Sequence, residues 1–205
     1  MHEEALDKNI APFFSSLSSF PNFYLGGGTA LALQIGHRIS KDLDLFFEKP
    51  IDKGLLTKVK KVFAGRRITL SVNTADELTI FIDGAKLTFL YYPFSVLLGF
   101  ISYNGINLLS IKEIAITKMY AIGRRGEFKD YVDLYYILKE NHAQLEELLE
   151  LSQKKYGSEF NTRLLLEQVV YLVDLEEVGI IFLKKKVTKE QIQYFLEKQV
   201  EQLNF

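Results

Sequence analysis

Cysteine is missing from this chain of 205 residues, and with it go disulfide scaffolds, thiolate zinc sites, iron–sulfur clusters and a cysteine nucleophile. Charge of one sign is missing too: 25 Lys and Arg stand against 26 Asp and Glu, a formal charge of −1. That balance argues against a basic protein that coats nucleic acid and leaves room for a local basic site. No run of Pro, Gly or Ser marks a flexible linker, and there is no internal repeat. The start, Met1-His2-Glu3-Glu4, lacks the basic residues and apolar stretch of a secretory signal, so a cytoplasmic location is expected. One long uncharged run, residues 87–111, has the length of a transmembrane helix. Pro93, Gly99, Asn104, Gly105 and Asn107 interrupt it, and its aromatics are spread along it. It reads instead as a buried strand, a connection and a second strand, with no membrane involved. What the chain does have is core: 48% of it is hydrophobic and 25% charged, which excludes bulk disorder.

Residues 3–19 carry Leu6, Ile10, Phe13, Phe14 and Leu17 at helical spacing. Phe23-Tyr24-Leu25 reads as a short strand running into Gly26-Gly27-Gly28; Thr29 is placed to cap a helix over 30–35, which Gly36 ends. Asp42–Phe47 alternates as a strand with one polar face, and 51–64 as a helix. Strands over 68–72, 78–82 and 86–92 follow, with Asp83-Gly84 as a tight hairpin turn. From Ser110 onward the pattern is helical: 111–122, 130–138, 143–153, 160–174 and 188–203. The expected organisation is a mixed α/β domain over 1–110 followed by a helical domain over 111–205.

The stretch that carries chemistry is Gly26-Gly27-Gly28-Thr29, twelve intervening residues, then Asp42-Leu43-Asp44. A glycine turn between strand and helix lets the backbone approach a ligand, and the helix start offers free N–H groups to an anion. Residues two apart on a strand share a face, so Asp42 and Asp44 project together. Two carboxylates that close repel unless a cation lies between them, and Mg²⁺ bridging to phosphate oxygens answers that need. Taken singly, the glycine run also suits a plain tight turn and Asp-x-Asp an exposed strand face. Their combination suits handling of a nucleoside triphosphate. Neither a Walker-type phosphate loop nor a Gly-x-Gly-x-x-Gly motif is present.

Tyr24–Leu33 together with Gly36–Phe46, and then a second block over 118–135 with Lys118, Arg125-Gly126 and Lys129-Asp130-x-x-Asp133-Leu134, resemble the AbiEii/AbiGii nucleotidyltransferase-like toxin family. The likeness of layout extends over about residues 20–140. It implies a nucleotidyltransferase-like mixed sheet with flanking helices and a C-terminal helical domain (α/β, in the α+β sense). It also implies a toxin of a toxin–antitoxin or phage-defence system, with a cognate antitoxin, that transfers a nucleoside monophosphate from a triphosphate to an acceptor, tRNA in some members. By position, Gly27, Gly28 and Thr29 would hold the triphosphate, Asp42 and Asp44 would ligate Mg²⁺, and Lys118 and Asp130 would serve the same cleft from the helical side.

Residue chemistry alone leaves more open. Lys118 suits phosphate as a point charge, or is a surface lysine on an amphipathic helix. Arg124, Arg125 and Lys129 form a local basic cluster, facing RNA or merely solvated. Asp130 reads equally as a helix cap, and Asp133 as the partner of Lys129 one turn earlier. Arg38, just before the carboxylate strand, is a candidate phosphate contact, whereas its neighbour His37 reads as structural. Lys184-Lys185-Lys186 reads as solvated surface. One departure matters. Active nucleotidyltransferases commonly carry a third acid on a later strand, but Ala85–Tyr91 contains none, and Asp83 belongs to the hairpin turn. The alternatives to transfer are therefore a nucleotide-binding or partner-binding protein that keeps the fold, and a phosphotransferase acting on the γ-phosphate.

Overall fold

Alternation in Asp42–Phe47 sends Leu43 and Leu45 into the core, 1% exposed each, and leaves Asp42, Asp44 and Phe46 half-buried on the other face. This strand, β2, lies in the middle of a mixed seven-stranded sheet. The computed structural model describes residues 1–177 and 179–203, with backbone only at Arg125. The other strands are β1 (Tyr24–Leu25), β3 (Ile68–Asn73), β4 (Glu77–Ile82), β5 (Ala85–Tyr91), β6 (Phe100–Tyr103) and β7 (Ile106–Leu109), in the order β3-β4-β5-β2-β1-β7-β6. β2 runs parallel to β5 and β1 parallel to β7; the other pairs are antiparallel. The register builds two rows across the sheet, Leu43-Leu87-Ile80 and Leu45-Phe89-Leu78, all buried. Phe20 packs edge-on against Phe89 at 4.9 Å and Phe63 meets Phe13 at 5.9 Å, adding aromatic contacts to the core beside these rows. The same face therefore carries the hydrophobic weight of this unit, and the alternate face is left for polar and aromatic groups.

Helix α1 (Gly27–Ile35) fills the connection from β1 to β2, and α2 (Leu55–Val62) follows β2. Gly36, at φ +62°, ends α1 by donating its N–H to Ala32 at 2.8 Å, as its position predicts. Asp83-Gly84, at φ +50° and +91°, makes the expected hairpin between β4 and β5. The uncharged run differs from expectation: two strands follow the connection, not one, because Asn104-Gly105 (φ +50° and +75°) makes a second hairpin of the same kind between β6 and β7. The N-terminal segment differs as well. Residues 3–19 form 3-10 segments at Glu3–Ala5 and Ala11–Ser19 instead of one helix. Leu6 bridges to Ser40, with Asp7 N–H on the Ser40 carbonyl at 2.9 Å, which draws the chain out between the two segments; Ser18 then competes for the Ser15 carbonyl.

The contacts divide the chain into two units, Met1–Ser110, just described, and Ile111–Phe205. The second holds α3 (Ile111–Arg125), α4 (Phe128–Lys139), α5 (Leu145–Tyr156), α6 (Thr162–Val169) and α7 (Lys189–Glu201). Ile114, Met119 and Ile122 form the buried stripe of α3, against α4, α5 and α6. α6 is shorter than the expected 160–174: Asn161 caps its start by accepting from Leu164 N–H at 3.0 Å, and it ends at Val169. Thr188 and Gln191 form a capping box at α7. No helix among the described residues is long and apolar enough to cross a membrane.

Candidate functional site

Three consecutive glycines open α1, and each lies beneath a different side chain. A Cβ on Gly26 would stand 2.7 Å from the Phe46 ring. Gly27, at φ +62°, adopts a backbone that favours glycine, and a Cβ there would lie 3.2 Å from an Asp44 carboxylate oxygen. A Cβ on Gly28 would collide with the Arg38 guanidinium. The turn is also tied to the carboxylate strand through its backbone, since Gly26 N–H donates to the Asp44 carbonyl at 3.1 Å. The N–H groups of Gly27, Gly28 and Thr29 belong to the first turn of a helix, where no intrahelical acceptor exists, and they make no other hydrogen bond among the described residues. Free donors, the positive end of a helix and a guanidinium converge at one place. The arrangement suits an anion such as a polyphosphate.

Thr29 does not cap α1; that position falls to Gly26. Its buried side chain turns inward, hydrogen-bonded to the Ser40 hydroxyl at 2.7 Å and donating to the Asp42 carbonyl. It thereby clamps the start of β2 to α1, leaving its backbone N–H as its contribution to the anion site. Arg38 is 6% exposed and donates to the Ile39 carbonyl at 3.3 Å, while His37 is fully buried.

The face of β2 beside the glycine turn offers oxygen donors to a divalent cation. Asp42 and Asp44 share a face of β2, and the Asp42 carboxylate makes no hydrogen bond or ion pair among the described residues. Two carboxylates completed by phosphate and water oxygens suit Mg²⁺, which rarely takes an all-protein cage. They fit. Among the described residues no group of three or more His, Asp or Glu could hold a metal by itself. Across from Asp44 on β5 stands Thr88, whose hydroxyl lies 3.3 Å from that of Thr79. Asp83 is committed to its turn, accepting from Arg67 N–H at 3.0 Å and from Arg66 at 3.2 Å. Glu77 on β4, two strands from β2, accepts from the Thr79 hydroxyl at 2.6 Å.

In the helical unit, Lys118 is not a surface lysine. It is 7% exposed, and its ammonium lies 2.6 Å from Asp130 and 2.8 Å from Asp133. Asp130 is the fourth residue of a capping box, not the cap itself: Glu127 holds that position, and Asp130 accepts from its N–H at 3.1 Å. Asp133, read from the sequence as the partner of Lys129, pairs with Lys118 instead; Lys129 pairs with Glu127 at 2.8 Å. The signal that could have found this is Lys118's place on the apolar stripe of α3, facing the first turns of the next helix. Gly126 lies under Tyr131, where a Cβ would come within 2.9 Å of the ring. Burial and the neighbouring Asp130 push the Tyr131 hydroxyl up to about 12. Arg124 lies over the Tyr120 ring at 4.2 Å and bonds Glu159 at 3.3 Å; the Arg125 side chain falls outside the described residues. Lys184 pairs with Glu140.

The model of a family described as nucleotidyl transferase AbiEii toxin, type IV toxin–antitoxin system, matches residues 13–96 and 91–203. An uncharacterised protein of Aquifex aeolicus is 34% identical over 178 residues, 85% of this chain and 82% of that one. Among solved structures, MenT4, a nucleotidyltransferase toxin of Mycobacterium tuberculosis H37Rv, aligns with a TM-score of 0.58 at 15% identity, over 96% of this chain and 85% of that one. JHP933 of Helicobacter pylori aligns at 0.54 and 19% identity, over 96% and 97%. At such identities these two show the fold.

Proposed function

This chain belongs to the AbiEii family of nucleotidyl transferase toxins of type IV toxin–antitoxin systems, and from that premise we propose that it transfers a nucleoside monophosphate from a triphosphate to tRNA, using Mg²⁺. The observation that carries the proposal is the Asp42–Asp44 pair set against the free N–H groups of a glycine-opened helix. Gly27, Gly28 and Thr29 donate backbone N–H to phosphate oxygens, and Arg38 adds positive charge at the same end of α1. Asp42 and Asp44 hold the cation. When bound, it supplies the charge neutralisation that a phosphoryl centre needs on attack. The acceptor hydroxyl forms a bond to the α-phosphorus, the bond to pyrophosphate breaks, and the hydroxyl proton passes to solvent. Lys118 and Asp130 are proposed to serve the same reaction, with Asp133 as the positioning residue that holds the Lys118 ammonium. A cognate antitoxin is the expected partner and the cytoplasm the expected location.

A second reading rests on Thr88: with a hydroxyl where an acid would act as base, the chain binds nucleotide without transferring it. One experiment separates the two. Purified protein is incubated with Mg²⁺, total bacterial RNA and each α-labelled triphosphate in turn. Transfer puts label into tRNA-sized RNA with release of pyrophosphate, and Asp44→Asn removes it at unchanged fold. Nucleotide binding with no label in any RNA moves the assignment to the second reading, and full activity in Asp44→Asn rejects the cation site.

A further inference from the structure

Gly26 is the one glycine of the turn that the anion site does not explain. Its φ of −125° is open to any residue, and its N–H is spent on Asp44. What requires glycine there is the Phe46 ring, which lies over it. Phe46 shares the face of β2 that carries Asp42 and Asp44, and follows Asp44 by two residues, about 7 Å along the strand. The glycines and the side chains above them therefore run in matched order: Arg38 over Gly28, Asp44 over Gly27, Phe46 over Gly26. That is the order of phosphate, reacting phosphorus and, one ribose further, base.

Phe46 does not stand alone. Tyr24 packs parallel to it at 6.0 Å, Tyr92 meets it edge-on at 5.6 Å, and Phe100, 46% exposed, extends the group from Tyr24 at 5.1 Å. Phe46 itself is only half-buried, and no charged side chain occurs anywhere in residues 87–111. An uncharged aromatic surface beside a carboxylate pair recognises a flat, hydrophobic heterocycle by stacking, which every nucleobase offers. We propose that Phe46, braced by Tyr24 and Tyr92, is the stacking platform for the base of the incoming nucleoside triphosphate, and that Gly26 exists to let that ring lie close against the turn. This rests on the nucleotide reading above and adds to it the subsite for the base.

The chain contains no tryptophan, so Phe46→Trp installs a single indole at the platform, excited selectively at wavelengths where the chain's 11 tyrosines do not absorb. With Mg²⁺ present, a nucleoside triphosphate quenches its emission, whereas inorganic tripolyphosphate, which fills the anion site without a base, does not. As a second variant for the case that tryptophan disturbs the turn, Phe46→Leu raises the calorimetric Kd for the triphosphate about tenfold and leaves that for tripolyphosphate within about twofold. A merely structural role would weaken both alike. Calorimetric binding of the triphosphate with no quenching, and an unchanged Kd in Phe46→Leu, overturns the platform while the nucleotide site stands. Absence of binding by triphosphate and tripolyphosphate alike overturns the nucleotide reading and the platform with it. Quenching by a single-stranded oligonucleotide but by no triphosphate assigns the surface to the acceptor and overturns the proposal as stated.

Discussion

A methyl group on Gly28 has no room beside the Arg38 guanidinium, and Arg38 is too buried to swing into solvent. Gly28→Ala is therefore expected to displace the Arg38 guanidinium from the start of α1 and to weaken triphosphate binding at least tenfold by calorimetry, with a stability loss of about 1–3 kcal/mol. Thr29→Val tests the clamp: it removes the hydroxyl that donates to the Asp42 carbonyl and bonds Ser40, and about 1–3 kcal/mol should be lost in urea unfolding. Tyr131 and Tyr136, both pushed up to about 12 chiefly by burial, give a pH dependence with a definite sign. In the folded chain they hold their protons to higher pH than in the unfolded chain, so stability is full below pH 10 and is lost as pH rises from 10 through 12. Tyr131→Phe should flatten that alkaline loss, read as midpoint against pH in denaturant titrations. Residue by residue, the sequence announced what depends on spacing, such as Asp42 and Asp44 on one face. It did not announce that the Thr29 hydroxyl turns inward or that Asp133 takes Lys118, because both depend on how a helix is rotated against its neighbour.

Elements were legible where backbone chemistry is local. Asp83-Gly84 and the Gly36 stop follow from positive φ alone, and Asn104-Gly105 offered the same signal inside a run whose lack of charge drew attention to its length. The 3-10 segments near the N-terminus were not legible, since a bridge from Leu6 to Ser40 decides them, and nothing in residues 3–19 states it. The helices of the second unit have a feature that periodicity hides altogether. Glu113 of α3 and Lys155 of α5 are ion-paired with their side chains 0% and 1% exposed. Such a pair is strongly coupled to packing, because removing one charge leaves the other buried without its counter-ion in this pair. Glu113→Gln is expected to cost about 3–5 kcal/mol, while Glu113→Leu combined with Lys155→Leu should recover most of that loss. Chemical denaturation of Glu113→Leu, Lys155→Leu and the double variant reads the coupling, with Glu113→Gln as the isosteric comparison.

Taken as a whole, a chain of net charge −1 has little long-range attraction for RNA. In the cluster that the second sequence block offered, Arg124 is answered by Glu159 and Lys129 by Glu127, and Lys184 is answered by Glu140. Few phosphates should be neutralised on association with an acceptor, so the slope of log K against log salt is expected to be shallower than about −3. A slope near −7 would mean an extended basic track, against the charge distribution described here. Length leaves one domain or two open, and it is the order of elements, strands and helices up to Ser110 and helices after it, that points to a mixed α/β part followed by a helical one. The layout of the glycine turn has a last consequence, which belongs to genetics. Every single-base change in a glycine codon that alters the residue adds a side chain or ends the protein. A population that survives forced expression of this toxin should therefore carry escape mutations clustered in codons 26, 27 and 28. Codon 179 should yield few, because Gly179 has no positive φ and a Cβ there meets nothing within 4 Å.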